Sequence, residues 1–454
     1  MTKKLLIKIS CLLTLLILTI TIFNIDIKER NIKQNSIEGT IISKTNKKIT
    51  IQDNNNIIYT FNEENKELNI GDNVLIKYTG IINKNTEQQD VKVINYTILR
   101  TSQDEEEKET ALYNEGIFSD YYTLARNKLK TLSLDEKIGQ LFLVRYPDTN
   151  SIEDLKKYYL GGFIFFEKDF KDKSTKDVQN MINKLQSESK IPLLTAVDEE
   201  GGKVTRISTN EQLVSEPFKS PQELYKLGGF DEIKIDTIEK SKILNNLGLN
   251  LNLAPVVDIA KPGDYIYDRT LGQNTELTNT YAETVIQASK GTGVSYTLKH
   301  FPGYGGNEDT HTGITKDDRT YDELEKNDLP PFQAGIDKNA EAILVNHNIL
   351  TNIDPSNPAS LSASIHNLLR NNMNFTGIIM TDNLDMAAVS SIDDVVTKAI
   401  LAGNDIIITT NYKNGIESVK NAINNNTISE EQINKITLRI LAWKYYKGLM
   451  TNQK

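Results

Sequence analysis

Eight short apolar runs, separated by longer segments with helical patterning, constrain the fold of this chain more than any other feature. The runs are continuous rather than alternating, which is typical of strands that are covered on both faces in a parallel sheet. Eight such units predict an α/β protein with a (β/α)8 TIM-type barrel, and a doubly wound open sheet is the competing architecture. The runs lie at residues 141–144, 162–166, 193–197, 251–257, 294–298, 342–345, 377–380 and 405–408.

The segment before these runs predicts a second, smaller domain. Residues 36–100 contain five short β-rich runs separated by turn residues such as Asn54 and Gly71, which predict a small all-β barrel or sandwich. An acidic linker follows at residues 101–116. The barrel domain is therefore expected over residues 117–454.

The N-terminus has the pattern of an export segment. Residues 1–30 carry lysines at positions 3, 4 and 8, and an almost unbroken apolar run covers residues 9–23. Such a run predicts a signal peptide, or an uncleaved hydrophobic membrane anchor because no small-residue cleavage site follows. Cys11, the only cysteine, lies inside the run, so the folded part can hold no disulfide. These features predict a bacterial protein that is secreted or held on the extracellular face of the cell membrane.

Composition and charge exclude one class of partner. A chain of 454 residues with 38% hydrophobic content can bury a sizeable core. The formal net charge is -9, and beyond the N-terminus no block of Lys or Arg stands clear of neighbouring acids. Nucleic acid is therefore not an expected partner.

The predicted strand ends are rich in charged and polar residues. In a (β/α)8 barrel the active site forms at the C-terminal ends of the strands. Ordinary loop polarity does not account for acids, cations and imidazoles after so many consecutive strands, so these positions predict a functional site. They are Arg145, Asp198, Asp258, Lys299, His300, Asn346, His347, Asp382 and Asn411.

The stretch from Lys299 to Gly313 concentrates more of these groups than any other. It reads Lys-His-Phe-Pro-Gly-Tyr-Gly-Gly-Asn-Glu-Asp-Thr-His-Thr-Gly, and it contains His300 and His311, two of the chain's four histidines. Glycines let the backbone adopt positive φ and approach a ligand closely. Loops of this composition at a strand end predict chemistry rather than a plain connection.

Four motifs in this order resemble bacterial β-N-acetylhexosaminidases of glycoside hydrolase family 3, in the single-barrel type. The resemblance covers residues 117–454 and does not extend to the first hundred residues. The motifs are Asp-x-Glu-Gly-Gly-x-Val-x-Arg at 198–206, Asp-Arg at 268–269, Lys-His-Phe-Pro-Gly at 299–303 with Asp-x-His at 309–311, and Thr-Asp-x-Leu-x-Met at 381–386.

The resemblance implies roles for eight residues. Asp382 matches the family nucleophile, which forms a covalent glycosyl-enzyme that water hydrolyses with retention of configuration. His311 matches the general acid/base, with Asp309 as its orienting partner, and an imidazole titrating near ~6.5 suits both proton transfers. No metal or other cofactor is implied. The matching sugar-binding positions are Asp198, Arg206, Arg269, Lys299 and His300.

The resulting hypothesis is an exo-acting, retaining β-N-acetylglucosaminidase that acts on peptidoglycan-derived carbohydrate outside the cell. A β-glucosidase or a glycosyl phosphorylase on the same fold is an alternative, since phosphate can replace water at the glycosyl-enzyme. A metal-dependent hydrolase with His300, Asp309, His311 and His347 as ligands is an alternative from another class. A wall-binding protein without catalysis would normally lack Asp382 or His311, and both are present. Substrate length and oligomeric state stay open.

Some positions depart from the resemblance or are expected to be structural. Tyr304 stands where many family members carry His, and Glu199 stands where Gln is common. Asp258 and Asp385 are expected to support neighbouring residues rather than to contact substrate. His347 fits either a structural or a functional role.

Overall fold

The structure, a computed structural model, divides the chain into two compact units, Met1–Thr110 and Ala111–Lys454. The expected export segment, residues 1–30, lies outside the described residues. None of the helices that the structure describes is both long and apolar enough to span a membrane. The described residues are 34–45, 47–53, 57–62, 68–83, 88–89, 91–100, 116–310 and 312–451.

The first unit contains one antiparallel sheet of five strands in the order β3-β2-β1-β4-β5. Buried and exposed residues alternate along β4, which places Val74 and Ile76 on the face that packs against Ile41 and Phe61. This alternation is what a sheet with one covered face requires. The strands are β1 (Gln34–Lys44), β2 (Lys48–Gln52), β3 (Ile58–Asn62), β4 (Asn73–Thr79) and β5 (Lys92–Arg100).

The second unit is an eight-stranded parallel barrel, as the apolar runs predict. Its strands follow one another in chain order around the sheet, β6-β7-β8-β9-β10-β12-β14-β15, and β15 pairs with β6. The Thr381 amide donates to the Ile406 carbonyl at 3.0 Å, which joins β14 to β15 and closes the ring. A doubly wound sheet would instead reverse its strand order, so that alternative is wrong. The strands are β6 (Phe142–Arg145), β7 (Gly162–Phe165), β8 (Leu194–Val197), β9 (Leu251–Asn252), β10 (Ser295–Phe301), β12 (Ala342–Val345), β14 (Ile378–Thr381) and β15 (Ile407–Thr409), with a separate pair, β11 (Lys316–Asp317) and β13 (Ile349–Leu350).

Helices cover the outer face of the barrel between successive strands. Several begin at capping boxes that the sequence makes recognisable, such as Ser133 with Glu136 at the start of α2. The helices are α1 (Tyr122–Leu129), α2 (Leu134–Gln140), α3 (Ser151–Tyr158), α4 (Glu167–Phe170), α5 (Thr175–Glu188), α6 (Pro221–Leu247), α7 (Thr275–Ser289), α8 (Tyr321–Asn327), α9 (Leu329–Asp337), α10 (Ala363–Asn367), α11 (Val395–Ala402), α12 (Tyr412–Asn424) and α13 (Glu430–Tyr446).

One expected strand is much shorter than its apolar run. The run at 251–257 forms a regular strand only over Leu251–Asn252, because Pro255 has no amide to continue the ladder. The segment still follows β10, since the Val257 amide donates to the Lys299 carbonyl at 2.9 Å. This irregular stretch carries Asp258 to the C-terminal end of the barrel.

The last helix, α13, closes the opposite end of the barrel. Lys444 Nζ donates to Gln140 Oε1 at 2.6 Å and to the Gly161 carbonyl at 3.0 Å, and Lys447 Nζ donates to the Asn250 carbonyl at 2.7 Å. These acceptors lie just before β6, β7 and β9, at the N-terminal ends of the strands. Burial without a facing carboxylate lowers the pKa of Lys444 to about 7.

This buried amine predicts a pH-dependent difference in stability. Between about pH 7 and pH 10 the folded chain releases the Lys444 proton while the unfolded chain keeps it, so stability rises with pH. We expect the unfolding free energy of the wild type, relative to Lys444→Met, to rise by up to about 1.4 kcal/mol per pH unit. Urea unfolding at several pH values measures this difference. Lys226→Met, at an exposed position, is the control, and parallel curves for wild type and Lys444→Met would contradict the prediction.

Candidate active site

The predicted site residues meet at the C-terminal rim of the barrel. Asp198 follows β8, Lys299 and His300 lie in β10, and Asp382 follows β14. Parallel strands of a closed barrel bring their C-terminal ends to one rim, which explains why residues far apart in sequence converge. We call the set Asp198, Glu200, Arg269, Lys299 and His300 the rim cluster. Glu200, Lys299 and His300 are buried, and Asp198 and Arg269 are partly buried.

Ion pairs bind the rim cluster together. Lys299 Nζ lies 2.8 Å from Asp198 Oδ1 and 2.6 Å from Glu200 Oε1. Arg269 donates to Glu200 through Nε at 2.9 Å and Nη2 at 2.7 Å, a two-point contact that fixes the guanidinium. Burial alone would raise the pKa of Glu200, but Arg269 and Lys299 hold it well below its usual range. Glu200 is therefore ionised and holds both cations in place.

Glu200 is a residue to which sequence reasoning assigned no role. Its motif, Asp-x-Glu-Gly-Gly, contains two adjacent glutamates in this chain, Glu199 and Glu200, and only the fold separates their functions. Glu199 turns to the following loop, where it accepts from the Ser208 hydroxyl at 2.6 Å and the Arg206 amide at 2.7 Å. Glu199, which departs from the family pattern, thus supports a loop, and Glu200 belongs to the rim cluster.

His300 is held in one orientation by two partners. Its Nδ1 lies 2.7 Å from Asp258 Oδ2, and its Nε2 lies 3.2 Å from Arg269 Nη2. Because a guanidinium can only donate, we assign the neutral tautomer that carries its proton on Nδ1. Asp258 also accepts from the Tyr304 amide at 2.6 Å. Asp258 therefore lies behind His300, the supporting position expected for it.

A bulge in β10 explains how consecutive residues reach the same cluster. Neighbouring side chains on a strand normally point to opposite faces. The pairing of β10 with β12 shifts register between Lys299 and Phe301, which re-aims the side chains at this point. Lys299 and His300 can therefore both contact the rim cluster.

Asp382 lies at the end of β14 as a half-buried carboxylate. Its Oδ1 accepts from the Asn383 amide at 2.7 Å. Burial would raise the pKa of Asp382, but nearby His347 and Lys299, together with that amide, lower it below its usual value. The carboxylate is ionised at neutral pH, as a nucleophile must be.

His347 and Asp385 support the segment around Asp382. His347 Nε2 lies 3.0 Å from the Asn383 carbonyl, and its Nδ1 lies 2.7 Å from the Ser360 hydroxyl. Asp385 accepts from the Thr409 hydroxyl at 3.0 Å, which joins this segment to the end of β15. Both side chains hold the loop that begins at Asp382.

The expected acid/base pair lies in the loop after β10, and only part of it is described. His311 lies outside the described residues. Asp309 is half-buried, and burial together with the nearby Asp309 carboxylate raises the pKa of the Tyr265 hydroxyl. The Thr310 carbonyl accepts from the Ala388 amide at 3.3 Å, in the loop that follows Asp382. The residue before His311 is therefore attached to the same loop as Asp382.

Arg206 follows β8 in the chain, but the contacts described for its side chain are with Phe166 and Thr205 and not with the rim cluster. Its guanidinium lies 5.2 Å from the centre of the Phe166 ring, and its Nη1 donates to the Thr205 carbonyl at 3.1 Å. Arg145 covers the same ring at 4.5 Å. Of the expected sugar-binding residues, the structure brings four into the rim cluster and leaves Arg206 beside Phe166.

The described residues offer poor ligands for a metal. No group of three or more His, Cys, Asp or Glu among them is arranged to hold a metal ion. The ring nitrogens of His300 and His347, two of the expected ligands, all contact protein partners. The described part of the rim therefore fits carbohydrate hydroxyls, which need both donors and acceptors, better than a metal.

Comparisons with known proteins agree with this geometry. Residues 133–443 match the Glycosyl hydrolase family 3 N terminal domain. A beta-hexosaminidase of Xylella fastidiosa (strain M23) is 32% identical over 243 residues, which are 52% of this chain and 71% of that protein.

Solved structures show the same barrel. A glycoside hydrolase family 3 beta-N-acetylglucosaminidase from Paenibacillus sp. str. FPU-7 superposes with a TM-score of 0.66 at 27% identity, over 71% of this chain and 64% of that one. A beta-glucoside phosphorylase has the same TM-score at 23% identity, over 75% of this chain and 64% of that one, a likeness of fold alone. The chain therefore belongs to glycosyl hydrolase family 3 and is a glycosidase.

Proposed function

We propose that this chain is an exo-acting, retaining β-N-acetylglucosaminidase that removes terminal β-linked N-acetylglucosamine from peptidoglycan-derived glycans. The observation that carries the proposal is Asp382, an ionised carboxylate within electrostatic reach of Lys299 and His300 and next to the loop that contains Asp309. The names of the Xylella and Paenibacillus relatives support an amino-sugar substrate.

In the first step the Asp382 carboxylate attacks the anomeric carbon of the terminal sugar. The bond from that carbon to the leaving oxygen breaks, and His311 gives its proton to the oxygen. In the second step water attacks the same carbon while His311 takes a proton from it, and Asp382 leaves. Asp309 orients the imidazole and stabilises its charged form, as the acid of a catalytic triad does.

The rim cluster supplies the contacts that hold the sugar. Lys299 and Arg269 can donate hydrogen bonds to sugar oxygens. Asp198, whose side chain keeps 16% of its surface exposed, can accept hydrogen bonds from sugar hydroxyls. Because Glu200 already holds both cations, their positions are set before the sugar binds. Arg206 would contribute from the side of Phe166.

The proposed place of action is the outer face of the cell membrane or the medium of a bacterium. The export pattern of residues 1–30 supports this location. Wall-derived glycans carry β-linked N-acetylglucosamine, the sugar that the proposed exo-acting enzyme would release. No cofactor takes part in either chemical step.

The proposed acid role predicts an effect that depends on the leaving group. Asp382→Ala should abolish turnover of every aryl β-N-acetylglucosaminide. His311→Ala should lose roughly 100- to 10,000-fold in kcat/KM with a methoxyphenyl leaving group. With dinitrophenolate, which departs without a proton, it should lose much less. Glu308→Ala, an exposed side chain in the same loop, is the control. Equal losses for both leaving groups in His311→Ala would remove His311 from the acid role.

The two titrating groups predict the pH profile of kcat/KM for a poor leaving group. The proposed acid must be protonated, so activity should fall as the pH rises through the range in which histidine side chains titrate. The nucleophile must be ionised, and the lowered pKa of Asp382 places the acid limb below about pH 4. Initial rates from pH 3 to 9, with enzyme stability checked at each pH, measure both limbs. An acid limb above pH 5 would conflict with the site described.

Two successive displacements predict retention of configuration. We expect NMR to detect the β-anomer of free N-acetylglucosamine before mutarotation produces the α-anomer. The same product should form when phosphate is added. Initial release of the α-anomer would contradict a covalent intermediate on Asp382, and a sugar 1-phosphate would identify a phosphorylase instead.

A further inference from the structure

Tyr304 is a buried tyrosine at the start of the loop that contains Asp309 and His311. Its side chain is 3% exposed and packs with Val256 and Ile266 in a small apolar cluster separate from the main core. Its ring also meets the ring of His300 edge-on, with 5.7 Å between centroids. Tyr304 is thus fixed against a member of the rim cluster.

The hydroxyl of Tyr304 makes all of its hydrogen bonds with the loop that follows it in the chain. It donates to the Glu308 carbonyl at 3.0 Å and accepts from the Thr310 amide at 2.9 Å. The Thr310 hydroxyl lies 3.1 Å away and supplies a third contact. One hydroxyl has one donor and two acceptor positions, so all three are occupied. The residues on either side of Asp309 are therefore tied to one oxygen atom.

The backbone of the same residue is tied to the rim cluster. The Tyr304 amide donates to Asp258 Oδ1 at 2.6 Å, and Asp258 Oδ2 contacts His300 Nδ1 at 2.7 Å. A continuous chain of contacts therefore leads from His300 through Asp258 and Tyr304 to Thr310, the residue that precedes His311.

A second tyrosine lies beside the residue between those contacts. The Tyr265 ring lies 5.9 Å from the Tyr304 ring, and burial together with the nearby Asp309 carboxylate raises the pKa of the Tyr265 hydroxyl. Tyr304 therefore holds Glu308 and Thr310, while Tyr265 packs on Tyr304 close to Asp309.

We propose that Tyr304 is a positioning residue. It holds the segment before His311 so that the imidazole can reach the leaving oxygen of the sugar bound at the rim cluster. The inference rests on the proposed acid/base role of His311. The Tyr304 ring supplies the fixed point, and its hydroxyl supplies the attachment to the loop. Without that hydroxyl, Glu308 and Thr310 lose their hydrogen bonds to Tyr304, and with them the chain of contacts that leads to His300.

Tyr304→Phe tests the proposal because it removes one oxygen atom and keeps the packed ring. We expect kcat/KM to fall roughly 10- to 100-fold with a methoxyphenyl leaving group and less than about threefold with dinitrophenolate. A displaced acid slows turnover only of those substrates whose leaving group must receive a proton. Thr310→Val, which removes the second hydroxyl of the pair, should show the same pattern with a smaller loss.

Tyr412→Phe is the matched control. Tyr412 is a buried tyrosine whose hydroxyl donates to Asp154 Oδ2 at 2.7 Å, on the outside of the barrel. Loss of this hydroxyl should affect both leaving groups equally if it affects activity at all. A general loss of stability is thereby separated from a loss of acid placement.

Amide hydrogen exchange gives a readout that does not depend on catalysis. We expect faster exchange over residues 305–313 in Tyr304→Phe, with the barrel strands unchanged. Unchanged exchange there, or equal losses for both leaving groups, overturns the inference about Tyr304. If His311→Ala shows no dependence on the leaving group, the proposed function fails, and the positioning inference falls with it even where exchange has increased.

Discussion

The charge balance of the rim cluster is the constraint on which the rest of the site depends. Lys299 is buried and Arg269 is partly buried, and an unpaired charge in such surroundings is strongly destabilising. Glu200 contacts both cations and Asp198 contacts Lys299, so two carboxylates balance two cations. His347 and, to a smaller extent, Lys299 lower the pKa of Asp382, so the ionisation of the proposed nucleophile depends in part on the same cluster.

Most of the barrel could be predicted from the sequence because its strands are buried on both faces. Burial of that kind leaves a continuous apolar run, which is a local pattern. β9 is the exception, since the run at 251–257 has the right composition but Pro255 interrupts its hydrogen bonding. The polar contacts of Lys444 at the closed end were not predicted, because a lysine on a helix usually indicates a solvent-exposed face.

The positions of the rim residues could be predicted, but their partners could not. Lys299 and Asp198 are 101 residues apart, and only closure of the barrel brings them within 2.8 Å. Glu200 and Glu199 look alike in sequence, and only the fold brings Glu200 to Lys299 and Glu199 to the Ser208 hydroxyl. The sequence marked Tyr304 only as a departure, because no local pattern predicts a hydrogen bond to Thr310.

The C-terminal helix that closes the barrel also sets the direction in which the chain leaves the domain. α13 ends at Tyr446, and Lys447 contacts residues at the N-terminal ends of the strands, opposite the rim that holds Asp382. An affinity handle or fusion partner attached after residue 451 would extend away from the mouth of the cleft. Immobilised through that end, the protein would leave the rim that holds Asp382 accessible to a bulky substrate.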